Sequence, residues 1–302
     1  MDIDKRKKAL YSLGALDGDI EALLAYTQNV FSPRESDGSE DGFLGKWEPV
    51  LKTARSEGAA AALNLHLVKE ELQIMFESPE TLYVGLFPSI GGILPVITTE
   101  SAADFENMVR NIIYKGREVP GLSEMGAMFA FGKTNRFIIL SDKPYSNVSA
   151  VRMGLGDAPW RKKSLTIRKH HECAHYYTKR FMGSSRNNLH DELIADFCGL
   201  YAAFGKYRAE WFLKFLGLSE DSDSVHGRLK VYTKDMTPTA ADVIKRLAVL
   251  AANGVEEWTK TDEFSLMDGI GRIEVLCGKE LLAYAFGDKF IERFTGRENR
   301  QA

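Results

Sequence analysis

Residues 170–183 read HHECAHYYTKRFMG, and residues 186–199 read RNNLHDELIADFCG. The first stretch contains His171, Glu172 and His175 in the spacing HExxH. Residues four apart on a helix lie on the same face, so both imidazoles can reach one metal ion. Glu172 lies about 100° round the helix from His171, close enough to the open side of the ion to hold a water molecule. The stretch therefore predicts a helix that carries a catalytic metal centre.

A third ligand is needed, because a catalytic zinc site usually has three protein ligands and one position for water. The extended pattern HExxHxxGxxH would place a histidine where this chain has Phe181. The second stretch instead contains Glu192 and Asp196, which are four apart and share one face of the next predicted helix. His190 is an alternative third ligand. It lies roughly 200° round the helix from Glu192, so the two side chains do not readily serve the same ion.

The five residues His171, Glu172, His175, Glu192 and Asp196 resemble the gluzincin pattern, HExxH followed by ExxxD, of thermolysin-type metallopeptidases. This resemblance covers residues 165–200. It implies that His171, His175 and Glu192 bind Zn²⁺. It also implies that Glu172 activates the attacking water and that Asp196 orients a ligand histidine. The two stretches are similar, in addition, to a bacterial family described only as a domain of unknown function.

Other side chains offer alternatives for the site. Cys173 and Cys198 lie on the two motif helices, and a mixed His/Cys zinc site is one possibility. A free cysteine is more commonly a small buried hydrophobe. Four further side chains could polarise a substrate carbonyl, although core aromatics and surface polar groups are the commoner roles of such residues: Tyr176, Tyr177, Arg208 and His226.

The order of elements along the chain predicts an α+β fold. Residues 1–78 and 161–302 show helical periodicity, and residues 79–160 contain short runs rich in β-forming residues. Four of these runs predict strands: Thr81–Phe87, Ile93–Thr99, Ala127–Phe131 and Arg136–Ser141. Since no linker is evident, we expect a single domain over 1–302 with an N-terminal helical extension. A small sheet ahead of the HExxH helix resembles the zincin-like arrangement, in which an edge strand beside the cleft binds extended peptide.

End signals place four helices in and after the motif region, the third of which contains Trp211, Phe212 and Phe215 and stops at Gly217. The first runs from about Leu165 to Phe181, and the second runs from Leu189 to Phe204. A later helix starts at Thr237-Pro238, because proline is favoured in a first helical turn, and ends at Asn253-Gly254.

Composition excludes several classes of protein. The 302 residues are 44% hydrophobic and 27% charged, which is ordinary for a globular chain and unlike a disordered or collagenous one. A formal net charge of -3 argues against a broad nucleic-acid-binding surface, so we expect no nucleic-acid partner. No apolar window approaches a membrane span or a secretory signal, and we expect no membrane association. Three cysteines without a repeated spacing indicate free thiols, so we expect a cytoplasmic protein.

The function that these observations favour is that of a zinc-dependent metallopeptidase acting on a restricted intracellular peptide or protein substrate. Short intracellular HExxH chains that resemble ImmA-type proteases act in this restricted way. A metal-dependent hydrolase of a non-peptide substrate is an alternative, as is a metal-stabilised binding module without catalysis. Two histidines and one carboxylate also suit non-haem iron(II), although a glutamate at the general-base position favours zinc.

Overall fold

The computed structural model describes residues 2–35, 42–132, 135–184, 188–218 and 227–287. Within them the chain is α+β, with N-terminal helices, a four-stranded mixed sheet and a largely helical C-terminal part. This confirms the predicted α+β class, and the zincin-like arrangement stays a prediction. The chain divides into a central unit, Arg34–Phe181, and a terminal unit formed by Met1–Pro33 and Met182–Ala302. The expectation of a single domain over 1–302 stays a prediction.

Where the structure describes it, the central unit contains four α-helices and four strands, which are α3 (Glu48–Glu57), α4 (Ala59–His66), β1 (Tyr83–Ser89), β2 (Gly92–Thr99), α5 (Ala102–Met108), β3 (Ala127–Phe131), β4 (Arg136–Ser141) and α6 (Asp157–Phe181). Up to Gly278, the described residues of the terminal unit contain eight α-helices, which are α1 (Ile3–Ser12), α2 (Ile20–Thr27), α7 (Leu189–Phe204), α8 (Ala209–Leu216), α9 (Leu229–Tyr232), α10 (Pro238–Trp258), α11 (Asp262–Leu266) and α12 (Gly269–Gly278). Residues 281–287 are also helical.

The sheet of the central unit has the strand order β1-β2-β4-β3. β1 and β2 form an antiparallel hairpin, β2 and β4 run parallel, and β3 and β4 run antiparallel. All six residues of β4 are buried, which fits its position inside the sheet. The strands predicted at Ala127–Phe131 and Arg136–Ser141 are confirmed. The first strand begins at Tyr83 rather than Thr81, because Pro79–Thr81 form a 3₁₀ turn ahead of it.

Helix α6 carries the HExxH stretch and packs on this sheet. Cys173 and Tyr176 belong to the same buried core as the strand residues Ile97 and Ile139. The helix begins at Asp157, so the predicted start near Leu165 was wrong. The buried face of the helix continues upstream of Leu165 because Trp160 and Ser164 are buried. They belong to one row of buried residues at spacings of three and four, which is Trp160, Ser164, Ile167, His171, Ala174 and Thr178.

In the terminal unit, residues 189–197 of α7 are all buried, and α10 packs against α8. The predicted end of α10 at Asn253-Gly254 was wrong, because the helix continues to Trp258. Val255 and Trp258 extend its buried face beyond the glycine. A Cβ at position 254 would overlap the carbonyl oxygen of Tyr284, so the glycine permits a close backbone approach there rather than ending the helix.

The longest helices among the described residues are α6, with 25 residues, and α10, with 21. Both carry charged side chains along their length. In the part of the chain that the structure describes, no helix is both long enough and apolar enough to cross a membrane.

Candidate metal centre

The two histidines of HExxH stand one turn apart on α6 and face each other. Their Nε2 atoms are 3.0 Å apart, and their rings are nearly perpendicular, with an interplanar angle of 84°. His171 is buried, and His175 is partly exposed. Two ligands of a tetrahedral zinc ion, each about 2.0–2.1 Å from the metal, lie roughly 3.3 Å from each other. The helix therefore presents both imidazole nitrogens at nearly the separation that one ion requires.

Side chains of α6 hold the loop that connects β4 to this helix. The guanidinium of Arg161 donates two hydrogen bonds to the carboxylate of Asp142, at 2.6 and 2.7 Å. The Oγ atom of Ser164 accepts the backbone N–H of Tyr145 at 3.0 Å. The Arg168 guanidinium donates to three carbonyls in or beside the loop, those of Ser141, Lys143 and Pro144. These contacts fix the backbone on which the Tyr145 side chain is mounted.

That loop brings a tyrosine hydroxyl within hydrogen-bond distance of the Nδ1 atom of His171. The Tyr145 hydroxyl lies 2.9 Å from Nδ1 of His171, and both side chains are buried. When Nε2 of His171 faces an ion, Nδ1 carries the proton and donates it to the tyrosine oxygen. Such a partner fixes the tautomer and the ring orientation of a ligand histidine. Tyr145 is thus a hydrogen-bond partner of His171 that the sequence pattern did not reveal.

Replacement of Tyr145 with phenylalanine is expected to weaken zinc binding by about 10–100-fold. This is the typical effect of removing a side chain that hydrogen-bonds a metal-ligating histidine. The ring and its packing stay, and the hydrogen bond to His171 is lost. Competition with a chromophoric chelator measures the zinc affinity. Tyr83→Phe, which changes an exposed tyrosine of the same unit, is the control. Equal affinities in wild type and Tyr145→Phe would contradict the role.

Glu172 lies next to His171 on α6 and is partly exposed. It follows His171 by about 100° round the helix axis, as the sequence predicted. Cys173, the next residue, is part of the hydrophobic core of the central unit. Burial also raises the pKa of the Cys198 thiol to about 12, which disfavours the thiolate that zinc would bind.

The two carboxylates of the second stretch lie on α7 in the terminal unit. Glu192 is 6% exposed and Asp196 is fully buried. Oε2 of Glu192 accepts a hydrogen bond from the Tyr232 hydroxyl at 2.8 Å and one from Nη1 of Arg228 at 3.2 Å. Nη2 of Arg228 donates to Oδ2 of Asp196. One guanidinium therefore bridges both carboxylates, and a tyrosine adds a second donor to Glu192.

His171, His175 and Glu192 form a group that could hold a metal ion. Each residue offers one ligand atom, and these atoms lie within 4.8 Å of one another. Two imidazole nitrogens and one carboxylate oxygen are a donor set that zinc uses in catalytic sites, with a fourth position left for water. The residues present therefore fit such an ion. The orienting role that the gluzincin resemblance gives to Asp196 stays a prediction.

His190 has a different environment from the three grouped residues. Its Nε2 atom donates to the carbonyl oxygen of Leu276 at 3.1 Å, and its ring packs edge-on against Phe31. Burial lowers the pKa of His190 to about 4, so the ring is neutral near pH 7. These contacts give His190 a role in packing α7 against α12.

The structure also places the remaining candidates that the sequence singled out. Tyr176 is fully buried and packs against Phe129 and Phe131 of β3. Tyr177 is buried as well. Arg208 forms an ion pair with Glu256, with 3.3 Å between Nε and Oε1. His226 lies outside the described residues.

Sequence reasoning missed Arg228 and Tyr232 as well as Tyr145. Arg228 and Tyr232 are four apart, which puts them on one helix face, but many chains contain such a pair. Nothing in the local pattern connects them to Glu192, which lies 36 and 40 residues away along the chain. Only the fold of the terminal unit brings these side chains together.

The chain belongs to a family of unknown function, DUF7005, whose sequence model matches residues 68–136 and 133–287. The matched residues contain both motif stretches, together with Tyr145, Arg228 and Tyr232. No curated protein and no solved structure matches the chain. The similarity of the two stretches to a family without an assigned function is thus supported, and the family itself assigns no activity.

Proposed function

We propose that this protein is a zinc-dependent metallopeptidase with a zincin-like, gluzincin-type site. The observation that carries the proposal is the group formed by His171, His175 and Glu192, whose ligand atoms lie within 4.8 Å of one another. The HExxH helix provides the two histidines with their Nε2 atoms facing each other. Glu172 lies on the same helix, directly after His171, and the proposal assigns to it the carboxylate that the reaction needs.

Each residue of the site has a distinct task in this proposal. His171, His175 and Glu192 bind the ion. A bound zinc ion supplies Lewis acidity, which polarises the scissile carbonyl and makes an adjacent water more acidic. Glu172 accepts the proton of the attacking water and passes it to the leaving nitrogen, so one carboxylate acts first as general base and then as general acid.

A peptide is the substrate class that the surroundings of the site favour. β3 is an edge strand of the described sheet, and every one of its residues is partly exposed. An extended peptide can add to such an edge through backbone hydrogen bonds, with alternate side chains entering pockets. β3 also contacts α6, the helix that carries Glu172. The resemblance to gluzincin peptidases supports the same substrate class.

Metal analysis of the wild-type chain, purified without added metal, tests the proposal. We expect about one equivalent of zinc per chain, removed by a strong chelator and restored by added zinc, because the three ligands form one site. A chain that contains no zinc and takes up none on incubation would contradict the proposal. If the chain instead contained about one equivalent of iron, the site would be assigned as a non-haem iron site.

A further inference from the structure

Tyr232 and Arg228 both donate to the same oxygen of Glu192. The hydroxyl of Tyr232 and the Nη1 atom of Arg228 reach Oε2 at 2.8 and 3.2 Å. Only 8% of the Glu192 side chain and 22% of the Arg228 side chain is exposed, so both hydrogen bonds form away from bulk water. A buried hydrogen bond with an ionised partner is stronger and better oriented than a neutral one at the surface.

The other terminal nitrogen of the Arg228 guanidinium, Nη2, donates to Asp196. Two carboxylates one helical turn apart repel each other when both are buried, and a cation that contacts both offsets this repulsion. The planar guanidinium suits this task, because its N–H groups form a rigid fork. Helix α9 begins directly after Arg228 and contains Tyr232, so both donors come from one short segment.

We propose that Arg228 and Tyr232 are positioning residues that hold Oε2 of Glu192, so that the carboxylate binds the ion through Oε1 alone. This inference rests on the proposed zinc site. Single-oxygen binding by Glu192 leaves the ion with three protein ligands and a fourth position for water or substrate, as a catalytic site requires. Without the two donors, the carboxylate rotates more freely, so Oε1 is held less firmly for the ion. The carboxylate can then also bind through both oxygens, which raises the coordination number of the ion.

The same unit offers matched controls for both residues. Tyr284 is buried like Tyr232, and its hydroxyl donates to a backbone carbonyl, that of Val275, at 3.1 Å. Arg6 is a half-buried arginine like Arg228, and its Nε atom lies 3.4 Å from the carboxylate of Glu280. Tyr284→Phe and Arg6→Met therefore remove equivalent groups without changing a contact to Glu192.

The experiment compares Tyr232→Phe and Arg228→Met with wild type and with the two controls, all in the full chain. Zinc affinity is measured by competition with a chromophoric chelator. We expect each site variant to bind zinc about 10–100-fold more weakly and each control to bind as wild type does. Cobalt(II) substitution provides a second readout, because four-coordinate cobalt absorbs visible light more strongly than five- or six-coordinate cobalt. We expect weaker cobalt absorption in the site variants only.

The outcomes separate this inference from the proposed function. Wild-type affinity and an unchanged cobalt spectrum in Tyr232→Phe would overturn the inference while leaving the zinc site in place. Equal weakening in the controls would overturn it too, because loss of stability alone would then explain the effect. A wild-type chain that binds neither metal would overturn both. Since Tyr232→Phe deletes a single oxygen atom, it keeps the test decisive where Arg228→Met fails to fold.

Discussion

Glu172→Gln is expected to abolish hydrolysis while the chain still binds zinc in full. Glutamine keeps the shape of glutamate but does not accept a proton, so only the general-base step is lost. A positioned acid–base group contributes about 10²–10⁴-fold to the rate, and the variant should show correspondingly little turnover. The measurement compares new peptide ends in a cell extract treated with wild type or with Glu172→Gln, read by mass spectrometry, alongside the zinc content of each protein.

Two controls belong to this experiment. Glu124→Gln changes an exposed carboxylate of the same unit and should leave both turnover and zinc content unchanged. Wild type treated with a chelator should give the same peptide ends as Glu172→Gln. Identical profiles for wild type and Glu172→Gln would argue against proteolysis and favour a non-peptide substrate. Equal zinc content with identical behaviour towards all substrates would favour a metal-stabilised binding module.

His175→Ala and Glu192→Ala are each expected to lose the bound zinc. Their zinc affinity should fall by more than the 10–100-fold that is typical when a residue hydrogen-bonded to a metal ligand is removed. Each variant removes one of three ligand atoms, so the remaining pair no longer encloses the ion. Zinc per folded chain is measured after dialysis. Wild type should also unfold at a higher temperature with zinc than with chelator, because a ligand that binds only the folded state stabilises it. Both variants should lose that difference.

Two other histidines provide the contrast for this prediction. His66→Ala removes an exposed side chain whose Nε2 contacts Thr53, and it should keep the zinc. His190→Gln should also keep the zinc but lower the free energy of unfolding by about 1–3 kcal/mol, because a buried hydrogen bond to Leu276 is disturbed. Loss of zinc from His190→Gln with retention in Glu192→Ala would reverse the assignment of the third ligand.

Much of the local architecture around the site was predictable from short-range patterns. The spacing of His171 and His175 predicted two imidazoles on one helix face, and the structure shows their Nε2 atoms 3.0 Å apart. The strands β3 and β4 and the bounds of α7 followed from runs of residues with clear end signals. These features depend on neighbours within a few residues, which is the range over which helical and strand periodicity acts.

Predictions that depend on distant contacts were less successful. Gly254 looks like a helix end, but α10 continues through it because buried residues beyond the glycine extend the packed face. The early start of α6 at Asp157 has the same cause, since Trp160 and Ser164 are buried. In both cases burial of an extended helix face outweighs the local signal, as tertiary packing commonly does.

The sequence by itself determined which of these side chains share a helix face, because HExxH and ExxxD on helices place two imidazoles, and two carboxylates, one turn apart. The tertiary structure alone decided the partners of those side chains. It creates the hydrogen bond between Tyr145 and His171 and those from Arg228 and Tyr232 to Glu192. It also pairs His190 with the carbonyl of Leu276. The physical reason is that helical geometry acts over a few residues, whereas a buried polar group is satisfied by whichever donor or acceptor the folded chain brings to it.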